Sequence, residues 1–89
     1  MPERRVRICN KLGLHARASA RLASEASRFE SDINLVRDDV SVNCKSIMSI
    51  MMLASGKGSE LLLVAEGRDA TAALLALETL VNERFGEAE

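Results

Sequence analysis

Aromatic residues are almost missing: Phe29 and Phe85 are the only two, and the 89 residues hold no tryptophan or tyrosine. Base-stacking platforms of the kind that grip single-stranded nucleic acid are therefore absent. An excess of one charge is lacking too. Twelve Lys and Arg against 13 Asp and Glu leave a net charge of -1, whereas a phosphate backbone calls for strong positive charge. No apolar run approaches the roughly 18 residues of a membrane span, and Arg4, Arg5 and Arg7 are followed by no apolar export segment. These absences predict a cytoplasmic protein that neither binds nucleic acid nor inserts into a membrane. Cys9 and Cys44 could form one bridge, but without an export signal they are expected to be reduced and packed. Two cysteines and one histidine, far apart, match no metal-ligand spacing, so no metal or other cofactor is expected.

What remains is ordinary in amount, with 47% apolar residues. Ala, Leu, Ile, Val and Met must build the core. A chain of this size buries roughly 60–65% of its unfolded surface, which supports one modest core. One domain over residues 1–89 is expected, as a monomer.

The chain then reads in order. Arg4 to Cys9 alternates, with Val6 and Ile8 apolar, which predicts a half-buried strand. Asn10 to Gly13 is a connection, its glycine allowing a sharp turn. From Ala16 to Phe29 the apolar Ala18, Leu22, Ala26 and Phe29 fall at helical spacing, widened by Ala23. The opposite face carries Arg17, Arg21, Ser24 and Arg28. Asp32–Val36 and the run from Val40 alternate around a polar turn at Arg37-Asp38-Asp39, predicting a hairpin. Ser46 suits an N-cap for a short helix through Leu53, ended by the segment 54–58. Glu60–Glu66 is a further strand, with Leu61, Leu63 and Ala65 on one face and Leu62 and Val64 on the other. Asp69 is placed to cap a last helix bearing Ala70, Leu74, Leu77, Val81 and Phe85 and stopping at Gly86. The tail 87–89 is expected to fray. Helices with single apolar faces must cover one side of a mostly antiparallel sheet, an α+β arrangement ordered β-α-β-β-α-β-α. The other sheet face, with Leu62 and Val64, is expected to stand open to water.

Chemistry concentrates in Gly13-Leu14-His15-Ala16-Arg17. A neutral imidazole can attack phosphorus, and a reference pKa near ~6.5 leaves much of it neutral at cytosolic pH. A helix N-terminus disfavours the imidazolium and offers free N–H groups, those of Ala16 and Arg17 first, to phosphoryl oxygens. The Arg17 guanidinium adds a fork that matches them. A structural or merely exposed histidine fits the same spacing. The helix 47–53 is apolar nearly all round, so Ile47, Met48 and Met51 either fill gaps in the core or form an adaptable docking patch. Ser46 is most simply its cap; phosphorylated, it would set a dianion beside that patch. No second histidine is present to form a relay, and no carboxylate is locally paired with His15 as an orienting group, so a stand-alone enzyme is not expected. A pure interaction module using Met48 and Met51 stays open.

Gly-Leu-His-Ala-Arg at 13–17, with Lys-Ser-Ile-Met at 45–48 and Met51 and Gly58 beyond, resembles the HPr phosphocarrier family of the bacterial phosphoenolpyruvate phosphotransferase system. The resemblance covers nearly the whole chain. It implies an open-faced β-sandwich, a four-stranded antiparallel sheet with three helices on one face. It implies phosphorylation of His15 at the δ nitrogen, with Arg17 as its partner in the site. Enzyme I would be the donor and an EIIA-type protein the acceptor. Ile47, Met48 and Met51 match the surface both partners use, and Ser46 matches the serine that an HPr kinase/phosphorylase modifies in many relatives. Sugar-system members mostly carry proline three residues after the histidine, where this chain has Ala18. Ala-Arg-Ala at 16–18, Met51-Met52-Leu53 and Asn82-Glu83-Arg84-Phe85 look closer to the nitrogen-related branch, called NPr. A regulatory role follows from that resemblance, with a sugar-transport HPr as the alternative.

Overall fold

The structure, a computed structural model, describes residues 2–53 and 56–88. Four strands, β1 (Glu3–Arg7), β2 (Asp32–Arg37), β3 (Val40–Asn43) and β4 (Glu60–Glu66), form one antiparallel sheet in the order β1-β4-β2-β3. Three helices, α1 (Ala16–Ala26), α2 (Ile47–Met52) and α3 (Ala70–Asn82), follow β1, β3 and β4, and a 3₁₀ turn at Arg84–Gly86 ends the fold. The strand period of two sends Val6, Ile33, Leu35, Leu61, Leu63 and Ala65 into a core shared with Leu22, Ala26, Ile50, Leu74, Leu77 and Phe85. This is the α+β, open-faced arrangement expected.

Local chemistry sets where the elements end. β1 stops pairing at Arg7, opposite Glu60, although Ile8 remains in the core and keeps a backbone bond to Ser59. Arg37 belongs to β2 and pairs with Val40, which leaves Asp38-Asp39 as a two-residue hairpin loop. Asp38 takes a positive φ of 53°, which such loops require and Asp tolerates. α1 ends three residues before Phe29. The Ser27 hydroxyl donates to the Ala23 carbonyl at 2.7 Å, and Arg28 and Phe29 close tighter turns onto Glu25 and Ala26. Phe29 still packs against the core from the loop.

Other expectations are corrected. Asp69 occupies the N-cap position of α3 without capping it; its carboxylate accepts from the Glu30 and Ser31 amides and from the Ser31 hydroxyl instead. α3 stops at Asn82, so Phe85 does not continue its stripe. Arg84 and Phe85 both adopt left-handed φ, 57° and 55°, and that turn swings the Phe85 ring fully into the core. Residues 54 and 55 of the expected helix stop lie outside the described residues. Leu53 is the C-cap of α2, and Gly58, at φ 91°, turns the chain into β4 while donating to the Ile8 carbonyl. Leu62 and Val64 lie on the outer sheet face, which no helix covers, each with intermediate exposure.

Candidate functional site

Gly13 makes the corner that presents His15. Its φ of 68° is left-handed, and its amide closes a turn onto the Asn10 carbonyl at 3.2 Å. His15 then stands at the N-cap of α1 with extended backbone angles, and its carbonyl accepts the first helical bond, from Ser19 at 2.9 Å. Ala16 and Arg17 open the helix, so their amides have no intrahelical acceptors. The Arg17 amide is not idle, however: it donates to His15 Nδ1 at 3.3 Å. The ring is partly exposed in a cleft of about 400 Å³ lined by Lys11, Leu12, His15, Arg17, Glu87 and Ala88.

Glu87 is the residue that sequence reasoning missed. The tail is not frayed there. Glu87 Oε2 lies 2.6 Å from His15 Nε2, and Oε1 accepts from Asn10 Nδ2 at 2.9 Å. A carboxylate is therefore paired with His15 after all, from 72 residues away. The Asn10 amide and then the imidazole hold the Glu87 carboxyl below the usual carboxylate range, with Arg17 adding a smaller pull. Asn10 itself is fully buried, and its Nδ2 also donates to the Gly13 carbonyl at 2.9 Å. The same amide thus fastens the corner before the histidine and the carboxylate behind it.

The second expected feature lies on α2, which packs against α1. Ser46 is the N-cap, its hydroxyl accepting from the Ser49 amide at 3.3 Å. Ile50 and Leu53 are buried, whereas Ile47, Met48 and Met51 are exposed. The gap-filling role for these three side chains is thereby excluded. Two more apolar residues are exposed nearby in sequence to these motifs, Met52 on α2 and Leu12 in the cleft beside His15. Composition alone could not single them out, because each directly precedes a buried residue, Leu53 and Gly13 respectively, in an otherwise apolar or turn-forming stretch.

Cys9 and Cys44 are free thiols, and burial pushes Cys44 up to about 12. Among the described residues no cluster of His, Cys, Asp and Glu could hold a metal ion, and no helix is long and apolar enough to cross a membrane.

A histidine at a helix N-terminus, backed by a carboxylate and flanked by an exposed arginine, is suited to carrying a phosphoryl group. Residues 2–83 match the family described as the PTS HPr component phosphorylation site. The chain belongs to the HPr family. It is 54% identical to the phosphocarrier protein HPr of Treponema pallidum, over 92% of this chain and 93% of that one. It is 45% identical to the phosphocarrier protein NPr of Shewanella violacea, over 97% and 94%. Among solved structures it is similar to HPr-C-His from Thermoanaerobacter tengcongensis, with 44% identity and a TM-score of 0.96 covering all of both chains. HPr from Bacillus anthracis matches at 46% identity and a TM-score of 0.86, over 90% of this chain and 95% of that one. HPr proteins are phosphoryl carriers in a relay and not stand-alone enzymes, and membership implies contact with enzyme I and EIIA-type proteins.

Proposed function

We propose that this chain is a cytoplasmic, single-domain phosphocarrier that accepts a phosphoryl group on His15 Nδ1 from phospho-enzyme I and delivers it to an EIIA-type acceptor. The observation that carries the reading is the ring's placement. Nδ1 faces the start of α1 while Nε2 is engaged by Glu87, so the δ nitrogen is the one aimed at an incoming phosphorus. Once Nδ1 is phosphorylated, the amides of Ala16 and Arg17 are the helix donors nearest the phosphoryl oxygens, and the exposed Arg17 side chain supplies charge-assisted ones. Ile47, Met48 and Met51 form the docking patch, and Ser46, at its edge, is the position where phosphorylation by an HPr kinase/phosphorylase would oppose docking.

The system served is a regulatory, nitrogen-type one. Support comes from Ala18 in place of proline and from the 16–18 and 82–85 motifs, while the named relatives include both HPr and NPr proteins. The test is incubation with enzyme I and phosphoenolpyruvate, followed by mass analysis. Wild type should gain one acid-labile, alkali-stable phosphate, and His15→Ala none. A wild type left unmodified by active enzyme I from the same source overturns the reading. Offered both acceptor types, the phosphorylated protein should discharge faster to the nitrogen-type EIIA; faster discharge to the sugar type reverses the branch.

A further inference from the structure

His15 makes a hydrogen bond at each ring nitrogen, and the two partners leave no freedom in assigning the proton. A backbone N–H can only donate, so the Arg17 amide at 3.3 Å requires a lone pair on Nδ1. An ionised carboxylate can only accept, so Glu87 Oε2 at 2.6 Å requires a proton on Nε2. Both contacts call for the same tautomer. The Nδ1···H–N contact is the long, weak one and can open to an electrophile, whereas the Nε2–H···Oε2 contact is short and charge-assisted.

The carboxylate is in turn held. Asn10 Nδ2 donates to Glu87 Oε1 and to the Gly13 carbonyl, each at 2.9 Å, from a side chain with no solvent exposure. Asn10 Oδ1 is buried with no partner among the described residues. An orphaned buried acceptor costs free energy. A simple packing role would not keep it, since an apolar side chain would avoid the cost. The amide's two donors are what the site uses.

We propose that Glu87, clamped by Asn10, is the positioning residue that locks His15 in its Nε2–H tautomer and so directs phosphoryl transfer to Nδ1. The inference rests on the phosphocarrier reading and deepens it. On loading, the Nδ1–P bond forms as the bond between phosphorus and the donor breaks, the donor keeping that electron pair. The ring then carries phosphorus on Nδ1 and the original proton on Nε2, which makes it cationic. Glu87 faces that new charge at contact distance. On discharge, the P–Nδ1 bond breaks toward the acceptor, and the pair returns to a ring that departs as neutral imidazole because Nε2 has kept its proton. Glu87 neither donates nor takes a proton in either direction.

The experiment is nitrogen-15 NMR of the His15 ring in the full chain, paired with the rate of loading from phospho-enzyme I. Wild type should show a protonated Nε2 and an unprotonated Nδ1. Glu87→Ala, a change on the C-terminal tail outside the core, should average the two ring signals toward a mixed population. Loading should slow by about ten- to a hundredfold, the loss typical where a carboxylate that orients a metal-bound imidazole is removed. Asn10→Ala should shift the ring signals in the same direction; if it unfolds, Glu87→Ala carries the test alone. Ring signals unchanged in Glu87→Ala overturn the proposal, as does a changed tautomer with an unchanged loading rate. The two readings fail separately: a wild type that takes no phosphate, with ring signals that still respond to Glu87, sinks the carrier function and upholds the tautomer lock.

Discussion

Asp69 shows how one side chain can be diverted from a local task to a distant one. At the N-cap of α3 its carboxylate could serve the helix amides, but it crosses to the loop after α1, where two amides and a hydroxyl converge on it. Gly67 makes that approach feasible, since a Cβ there would stand 2.6 Å from Ser31 Oγ. The Ser31 hydroxyl and then the Glu30 amide hold the Asp69 carboxyl down to about 2, from an ordinary value of 3.8. A carboxyl depressed by folding stabilises the fold fully above its unfolded value and loses that contribution as pH falls toward its folded value. Thermal unfolding of wild type and Asp69→Asn should therefore differ by a constant margin at neutral pH. That margin should shrink between about pH 4 and pH 2, bracketing the two values. A margin that does not change over that window would remove Asp69 from the acid stability of the protein. His15 was legible as a candidate because it is the only histidine and follows Gly13. Glu87 was not, because nothing local marks a residue whose partners lie 72 and 77 positions away.

Among the elements, spacing revealed all three helices and all four strands, and it failed chiefly where backbone angles rather than side-chain periods end an element. The turn after α3 is the main case. Arg84 and Phe85 are left-handed without being glycine, a conformation that carries no compositional sign and costs on the order of 1–3 kcal/mol for each such residue. The surrounding packing offsets it: Phe85 is fully buried, and the residue two positions later reaches His15. The turn is thus a hinge between core and site. Phe85→Ala should lower stability by about 3–5 kcal/mol, the usual cost of emptying a buried aromatic position. At a temperature where the variant is still folded, it should also weaken the Glu87 contact, and the His15 ring signals should move as they do in Glu87→Ala. A destabilised variant whose ring signals match wild type would show that the tail is held by Asn10 alone.

Across the whole molecule, the proposed phosphate seat at His15 lies with an exposed apolar helix on the same packed pair, α1 and α2, and on that reading docking and stability should respond separately. Ser46 is where they part. Its hydroxyl already caps α2, and aspartate is an equally good cap whose charge suits a helix N-terminus. Ser46→Asp should accordingly leave the unfolding free energy within about 1 kcal/mol of wild type. The same charge sits one residue before Ile47 and two before Met48, both exposed, so a partner that covers them must strip water from a carboxylate with no counter-charge supplied by α2. Loading by enzyme I should slow through a higher KM, with the rate at saturation little changed, because the charge opposes association and not the step at His15. Calorimetry on the variant and steady-state loading kinetics at varied carrier concentration check both halves. A slowed kcat at unchanged KM would move the effect from docking to the chemistry at His15. A loss of stability matching the loss of rate would mean that α2 had simply come apart, and Ser46 would then be a structural cap and not a switch.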